Sequence, residues 1–417
     1  MSNKLVLQKI IVNWAEFAKS QNLEAKKRNK TMLLRKDFAA ALVGVRRSGK
    51  TTIAIQAISS RTENFLYINF EDPYFSEFFE SSILEDLIEE YFNLYNKKPE
   101  YIIFDEIHNI KNWERWARKF IDQKSAFLIL TGSSAKMLST ELSTSLTGRN
   151  LTSEVWPLTF SEYLLFIKVK KENYKAEFNN FMKWGGFPRI VLEEDEKLRL
   201  EILRQYYSDA TLKNVVKRNE IRDVRALLAV FNYYLANISS LHSYNSIKKA
   251  FNLSTHIPIT YAQALTEAFL MFEVSLYSKN LKVQTRNPKK IYAIDTGFRN
   301  ANAMSGNEDR GKLLENTVFL ELKKRGKQLY YHKDKFECDF VVTENYTPTE
   351  LIQVTESMKE QKTKERELAG LRDAMSQFKL SKGLIITLNE EGILKFPEGT
   401  IKVVSAWKYF LLEKLES

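Results

Sequence analysis

A single cysteine, Cys338, stands in a chain of 417 residues. It excludes an intrachain disulfide and any zinc site built from clustered thiolates. The four histidines are scattered, so zinc-finger spacing is absent as well. No apolar run reaches the roughly 18 residues that a membrane helix needs, and no secretory signal pattern follows Met1. These absences lead to the expectation of a soluble, cytoplasmic protein with no membrane partner. Hydrophobic residues make up 44% of the chain and charged residues 28%, enough for a folded protein, and the length favours two or three domains. The formal net charge of +11 permits a polyanionic partner without requiring one.

Against these absences, two segments carry chemistry. Gly44-Val45-Arg46-Arg47-Ser48-Gly49-Lys50-Thr51 fits G-x-x-x-x-G-K-[ST] at every position. Ala39 to Val43 reads as a buried strand feeding this loop, and Thr52 to Ile58 reads as the helix leaving it. Gly44 and Gly49 allow a tight turn whose amides, with Ser48 and Thr52 nearby, face phosphate oxygens at a helix N-terminus. Lys50 is expected to reach the β- and γ-phosphates, and the Thr51 hydroxyl to hold Mg²⁺. The second segment, Tyr101 to Phe104, is an apolar strand ending in Asp105 and Glu106. Asp105 is placed to join the magnesium shell and Glu106 to orient or deprotonate the attacking water. The cofactors expected are therefore ATP and Mg²⁺. Phe65 to Phe70 and Phe127 to Leu130 read as further strands, giving a four-stranded parallel α/β layer. Asn69 or Glu71 stands either beside the attacking water or at an ordinary strand end, and a polar residue among Thr131 to Ser134 is a candidate γ-phosphate sensor.

With these motifs the chain resembles the AAA-type ATPases, and more narrowly the prokaryotic family that joins such an ATPase to a C-terminal domain of the DUF4143 type. The paired arginines Arg46 and Arg47, the run Phe104 to His108 with Trp113, Leu130 to Ser134, Leu146-Thr147-Gly148-Arg149, Pro157 to Tyr163 and Gly185-Gly186-Phe187-Pro188 carry the resemblance. It implies an oligomer, and a role for Arg149 as an arginine finger acting on a neighbour's γ-phosphate; a contact within one subunit and a surface salt bridge are the alternatives. Arg46 and Arg47 face phosphate, a partner subunit or solvent.

The expected domains are an ATPase core at 1–160, a helical lid at 161–220, a winged-helix-like segment at 221–285 and a nuclease-like α/β domain at 286–417. In the third, Ser243 to Phe251 and Ile259 to Phe269 read as helices around a turn, and Val274 to Tyr277 as a wing strand. Lys248, Lys249, Lys279, Lys282 and Arg286 supply positive charge there, yet Ile259 to Ala268 has no basic residue. Both DNA contact and a packing role fit that pattern.

In the last domain a helix from Leu313 to Arg325, strands at Leu329 to His332, Glu337 to Val342 and Leu351 to Thr355, a charged helix from Lys359 to Phe378 and a strand at Leu384 to Leu388 resemble the PD-(D/E)XK nuclease core. The resemblance places Glu315 and Asp339 at the acidic positions, but Gln353 where a glutamate is expected and Thr355 where a lysine is expected. Threonine cannot replace an ammonium, so a cutting centre needs a displaced lysine such as Lys359 or Lys362. The leading expectation is an ATP-driven DNA-binding or remodelling protein that has lost cleavage. The alternatives are a STAND-like regulatory ATPase switching protein contacts and an ATP-gated nuclease.

Overall fold

Five strands in the first part of the chain are apolar enough, or close enough to a neighbour, to form one parallel sheet. They are β1 (Ala39–Val43), β2 (Phe65–Asn69), β3 (Tyr101–Asp105), β4 (Phe127–Gly132) and β5 (Asn150–Glu154), in the order β2-β3-β4-β1-β5. Strands β1, β3 and β4 are buried almost throughout, as expected for strands covered on both faces. Strand β5 is the one that the sequence pattern misses. Its Asn-Leu-Thr-Ser-Glu sequence is polar and half-exposed, and it becomes a strand by pairing with β1 at the sheet edge. The computed structural model describes residues 3–411 except 29–30, 60, 136, 138–145, 147 and 304–308, so Thr147 of the Leu146–Arg149 motif lies outside the described residues.

Helices α1 (Asn3–Glu24), α2 (Lys50–Ser59), α3 (Ser82–Tyr95) and α4 (Trp113–Gln123) accompany this sheet. Helix α1 buries Leu7, Ile10, Ile11 and Ala18, and its Trp14 Nε1 donates to Asp72 Oδ2 at 3.0 Å. All five strands run the same way, so the loops after β1, β3 and β4 open at one edge. Ligand sites of open parallel sheets form at that edge.

The chain divides into two compact units, Met1–Trp156 with Glu267–Phe269 and Pro157–Thr266 with Leu270–Ser417. The second unit begins with α5 (Phe160–Ile167), capped by Thr159 and Glu162 in a reciprocal box, and α6 (Tyr174–Trp184). Helix α7 (Glu196–Asp209) follows. Then come α8 (Val224–Ala236), β6 (Leu241–His242), α9 (Tyr244–Phe251), α10 (Ile257–Glu267), β7 (Met271–Val274) and β8 (Lys289–Ala293). The three strands order as β6-β8-β7, antiparallel throughout. The expected wing strand at 274–277 is shifted: the strand ends at Val274, because Met271–Val274 is the stretch that pairs with β8.

The last layer is a six-stranded sheet, β13-β14-β12-β11-β10-β9, built from β9 (Gln328–Lys333), β10 (Glu337–Glu344), β11 (Thr347–Thr355), β12 (Lys382–Thr387), β13 (Gly392–Phe396) and β14 (Gly399–Ser405). Strands β10 and β11 form an antiparallel hairpin and β12 runs parallel to β11. Helix α11 (Arg310–Lys324) precedes the sheet and α12 (Gln361–Phe378) crosses it. Leu371, Ala374 and Met375 of α12 pack with Cys338, Val341, Leu351 and Ile385. Gly370 permits the approach, since a Cβ there would collide with the Glu337 carbonyl. The register of β10 against β9 slips between Cys338 and Val341, a bulge that spans Asp339. The chain is therefore mixed α/β, with a five-stranded parallel sheet and a separate C-terminal sheet.

Candidate functional site

The loop from Gly44 to Gly49 joins the buried end of β1 to the first turn of α2. Gly44 lies against the backbone of Val155, where any Cβ would collide with the carbonyl, and Gly49 takes φ 96°, open to glycine alone without strain. Arg47 also takes a positive φ, 69°. The Lys50 ammonium is buried and donates to the Gly44 and Val45 carbonyls, each at 3.1 Å. The Ser48 hydroxyl is buried with no hydrogen-bond partner among the described residues. Arg28 Nη1, also buried, donates to the Ser48 carbonyl at 2.7 Å and braces the loop from behind. A glycine cradle, a buried ammonium and an orphaned hydroxyl at a helix N-terminus suit a chain of phosphates.

Strand pairing brings Asp105 to this loop. Thr51 Oγ1 donates to Asp105 Oδ2 at 2.6 Å, and Tyr67 donates to the same oxygen at 2.9 Å. Thr131 donates to Asp105 Oδ1 and accepts from the Glu106 amide at 3.1 Å, so it ties the two acids together. Burial, then the Glu106 charge, push the Asp105 carboxyl up from its ordinary value. A divalent cation beside Thr51 and Asp105 would relieve that cost, so the donor set fits Mg²⁺.

Glu106 adopts left-handed backbone, φ 53°, ψ 44°, an unfavourable conformation for this residue type that re-aims its side chain after β3. Its carboxylate lies 3.5 Å from Lys50 Nζ, accepts the Ser133 amide at 3.1 Å and stands 3.4 Å from His108 Nδ1. Burial alone would raise this acid, but Lys50, His108 and Arg46 outweigh it and hold it down at about 2. Glu106 is therefore a carboxylate at neutral pH, fixed at the mouth of the loop.

The remaining expected residues are placed as follows. Arg46 forms an ion pair with Glu71, which gives both residues a partner other than solvent. Arg149 forms an ion pair with Asp122 at a partly exposed position. Thr52 lies in the first turn of α2, half-buried. Tyr67 is the residue that the motif reading missed; its signal was a tyrosine in a buried strand, whose hydroxyl needs a partner.

The second unit contains a pocket of about 690 Å³ with Glu315, Asp339, Gln353 and Thr355 in its wall. Gln353 Oε1 accepts the Asp339 amide at 3.2 Å, and its Nε2 donates to Glu367. Asp339 Oδ2 accepts the Val354 amide at 2.8 Å. Thr355 Oγ1 donates to the Ser357 carbonyl at 3.3 Å. Neither Lys359 nor Lys362 lines the pocket. Lys312, Lys333, Lys335 and Arg366 do line it, and the ammonium that stands between Glu315 and Asp339, beneath the wall, is that of Lys290 from β8, which is 1% exposed. Its Nζ lies 2.7 Å from Asp339 Oδ1, 2.8 Å from Glu337 Oε1 and 3.1 Å from Glu315 Oε1. The clue in the sequence was a second lysine, after Lys289, inside a strand that continues with apolar Ile291-Tyr292-Ala293. Tyr292 donates to Glu315 at 2.7 Å.

Comparison with known proteins is consistent with these two units. Residues 36–164 match the AAA_14 model of an AAA domain. Residues 175–310 match DUF8612 and residues 310–409 match DUF4143, both domains of unknown function. An uncharacterised protein of Methanocaldococcus jannaschii is 35% identical over 439 residues, covering 99% of this chain and 96% of that one. An uncharacterised protein of Haemophilus influenzae is 28% identical over 319 residues, covering 73% and 79%. Among solved structures, the RuvB Holliday junction branch migration motor of Thermotoga maritima aligns at TM-score 0.31 and 16% identity, covering 63% of this chain and 89% of that one. The replication initiator DnaA bound to AMPPCP and single-stranded DNA aligns at TM-score 0.29 and 18% identity, covering 63% and 91%.

Proposed function

The chain belongs to the AAA-type family that joins an AAA domain to a C-terminal DUF4143 domain, and from that premise we propose that it is a Mg²⁺-dependent ATPase whose cycle drives DNA binding or remodelling. The observation that carries the ATPase reading is the bond from Thr51 to Asp105, which joins the phosphate loop to the acidic end of β3. Gly44 to Thr52 bind the phosphates through backbone amides and the Ser48 hydroxyl. Lys50 exchanges the Gly44 and Val45 carbonyls for phosphate oxygen. Thr51 and Asp105 hold Mg²⁺, which when bound offsets phosphate charge. Glu106 orients the attacking water and takes its proton. Arg149 leaves Asp122 and reaches the γ-phosphate of a neighbouring subunit in a homo-oligomer.

The DNA reading rests on charge and on the α8–β6–α9–α10–β7–β8 segment, whose strand order β6-β8-β7 fits a winged helix. Helix α10 has no Lys or Arg, whereas the β7–β8 connection carries exposed Lys279, Lys282 and Arg286. The contact assigned to this module is therefore to phosphates, through the wing, rather than base readout by the helix. The lid is assigned to residues 161–220, before α8.

The test is ATP turnover measured alone and with duplex, single-stranded and four-way-junction DNA, with Lys50→Ala as the control. Stimulation by any of the three supports the reading. Turnover that is indifferent to all of them replaces DNA with a protein partner and favours a regulatory switch. Turnover that survives Lys50→Ala removes the assigned site.

A further inference from the structure

The pocket of the second unit has the acids of a metal site, but the point on which two of them converge is already held by an ammonium. In the nuclease-like arrangement Glu315 and Asp339 converge on one cation. Here the fully buried Lys290 Nζ already stands between them, 3.1 Å from Glu315 Oε1 and 2.7 Å from Asp339 Oδ1, with Glu337 Oε1 at 2.8 Å as a third acceptor. An ammonium has three protons to donate, and three carboxylate oxygens receive them. The other oxygen of Asp339 is taken by the Val354 amide. A Mg²⁺ ion needs carboxylate oxygens at about 2.0–2.1 Å and would have to occupy the region held by the like-charged nitrogen. Among the described residues, no group of three or more histidine, cysteine, aspartate or glutamate side chains is arranged to hold a metal.

We propose that Lys290 is the resident cation between Glu315 and Asp339, an ammonium built into the fold in the place of a divalent metal ion, and that these two acids bind no metal while Lys290 is present. The charge balance agrees. Lys290 faces three carboxylates and Lys333 Nζ lies 3.3 Å from Glu337 Oε2, so two positive charges meet three acids and one acid remains uncompensated. Glu315 is pushed up to about 8 by burial and by the Asp339 charge, whereas Glu337 is drawn down by Lys290 against the effect of its burial. The same substitution accounts for Gln353 and Thr355. A neutral amide and a hydroxyl are what remain compatible once a lysine from β8 has brought the positive charge. The inference concerns the second unit alone and stands or falls apart from the ATPase reading.

The experiment is Mn²⁺ binding to the full chain without nucleotide, followed by electron paramagnetic resonance of the free ion. Four proteins are compared: wild type, Asp339→Asn, Lys290→Met, and Lys290→Met with Asp339→Asn. Wild type and Asp339→Asn are expected to bind Mn²⁺ equally, whatever the phosphate loop contributes. Lys290→Met is expected to gain about one ion per chain, and the gain is expected to vanish when Asp339→Asn is added. A wild-type site that Asp339→Asn abolishes overturns the proposal, and so does a folded Lys290→Met that gains no ion. Should Lys290→Met fail to fold, Lys290→Met with Glu337→Gln takes its place, since it removes one acid together with the ammonium. The wild-type comparison decides independently of either variant.

Discussion

Tyr67 and Thr51 donate to the same oxygen, Asp105 Oδ2, from 2.9 Å and 2.6 Å. One donor comes from β2 and the other from the first turn of α2, so the acid proposed to hold Mg²⁺ is fixed from two elements. Loss of a donor to a buried charged group costs about 1.5–3 kcal/mol. Tyr67→Phe is therefore expected to raise the Mg²⁺ concentration for half-maximal ATP turnover roughly tenfold or more. A Mg²⁺ titration that coincides with wild type would reduce Tyr67 to a packing residue.

Glu106 is held ionised by Lys50, His108 and Arg46. Glu106→Gln keeps the shape and loses the base. ATP affinity is expected to survive while turnover falls by about 10²–10⁴-fold. Fluorescent-nucleotide binding and phosphate release, measured on the same preparation, separate the two effects. A variant that hydrolyses ATP at the wild-type rate would hand the proton to another group.

Arg149 pairs with Asp122 within its own chain, so a role in trans requires it to exchange partners. Mixing Arg149→Ala subunits with Asp105→Ala subunits discriminates. Each alone is expected to be inactive, and the mixture to recover part of the turnover at interfaces that pair an intact Asp105 with an intact Arg149. No recovery, with mixed assembly verified by light scattering, would assign Arg149 to its own subunit.

Lys279, Lys282 and Arg286 are exposed on the β7–β8 connection. Replacing all three by glutamine is expected to weaken DNA binding evenly across sequences. The slope of log affinity against log salt should shrink by up to about 0.9 for each lost phosphate contact. Basal ATP turnover should not change. Fluorescence anisotropy across a salt series measures the slope, and an unaltered slope would move the contact elsewhere.

Glu315 binds its proton more tightly when folded, its value rising from 4.5 to about 8. For such an acid the folded state holds more protons than the unfolded one between those values, so stability falls as pH rises through them. Thermal melts of wild type are expected to decline between about pH 4.5 and 8, and those of Glu315→Gln to decline less. Equal slopes would place the titrating group elsewhere in the pocket.

The phosphate loop was legible because its function is carried by adjacent residues, and the spacing from Gly44 to Thr51 is itself the cradle. Asp105 and Glu106 were legible because an apolar strand ending in acids marks the edge of a parallel sheet. Strand β5 was not, because a polar edge strand is recruited by its neighbour rather than by its own pattern. Tyr67 was hidden for a different reason. It meets Asp105 only once β2 and β3 pair with Asn69 opposite Asp105.

In the second unit the sequence determined that Gln353 and Thr355 depart from a cutting centre, since residue identity alone sets whether an ammonium is present at those positions. What it could not determine is where the positive charge went. Lys290 lies 25 residues from Glu315 and 49 from Asp339, and its role depends on β8, α11 and β10 converging around one buried nitrogen. Local chemistry is written in contiguous residues, whereas charge compensation in a buried pocket is fixed by distance in space. Only the tertiary structure decided that the cation among these acids is a lysine.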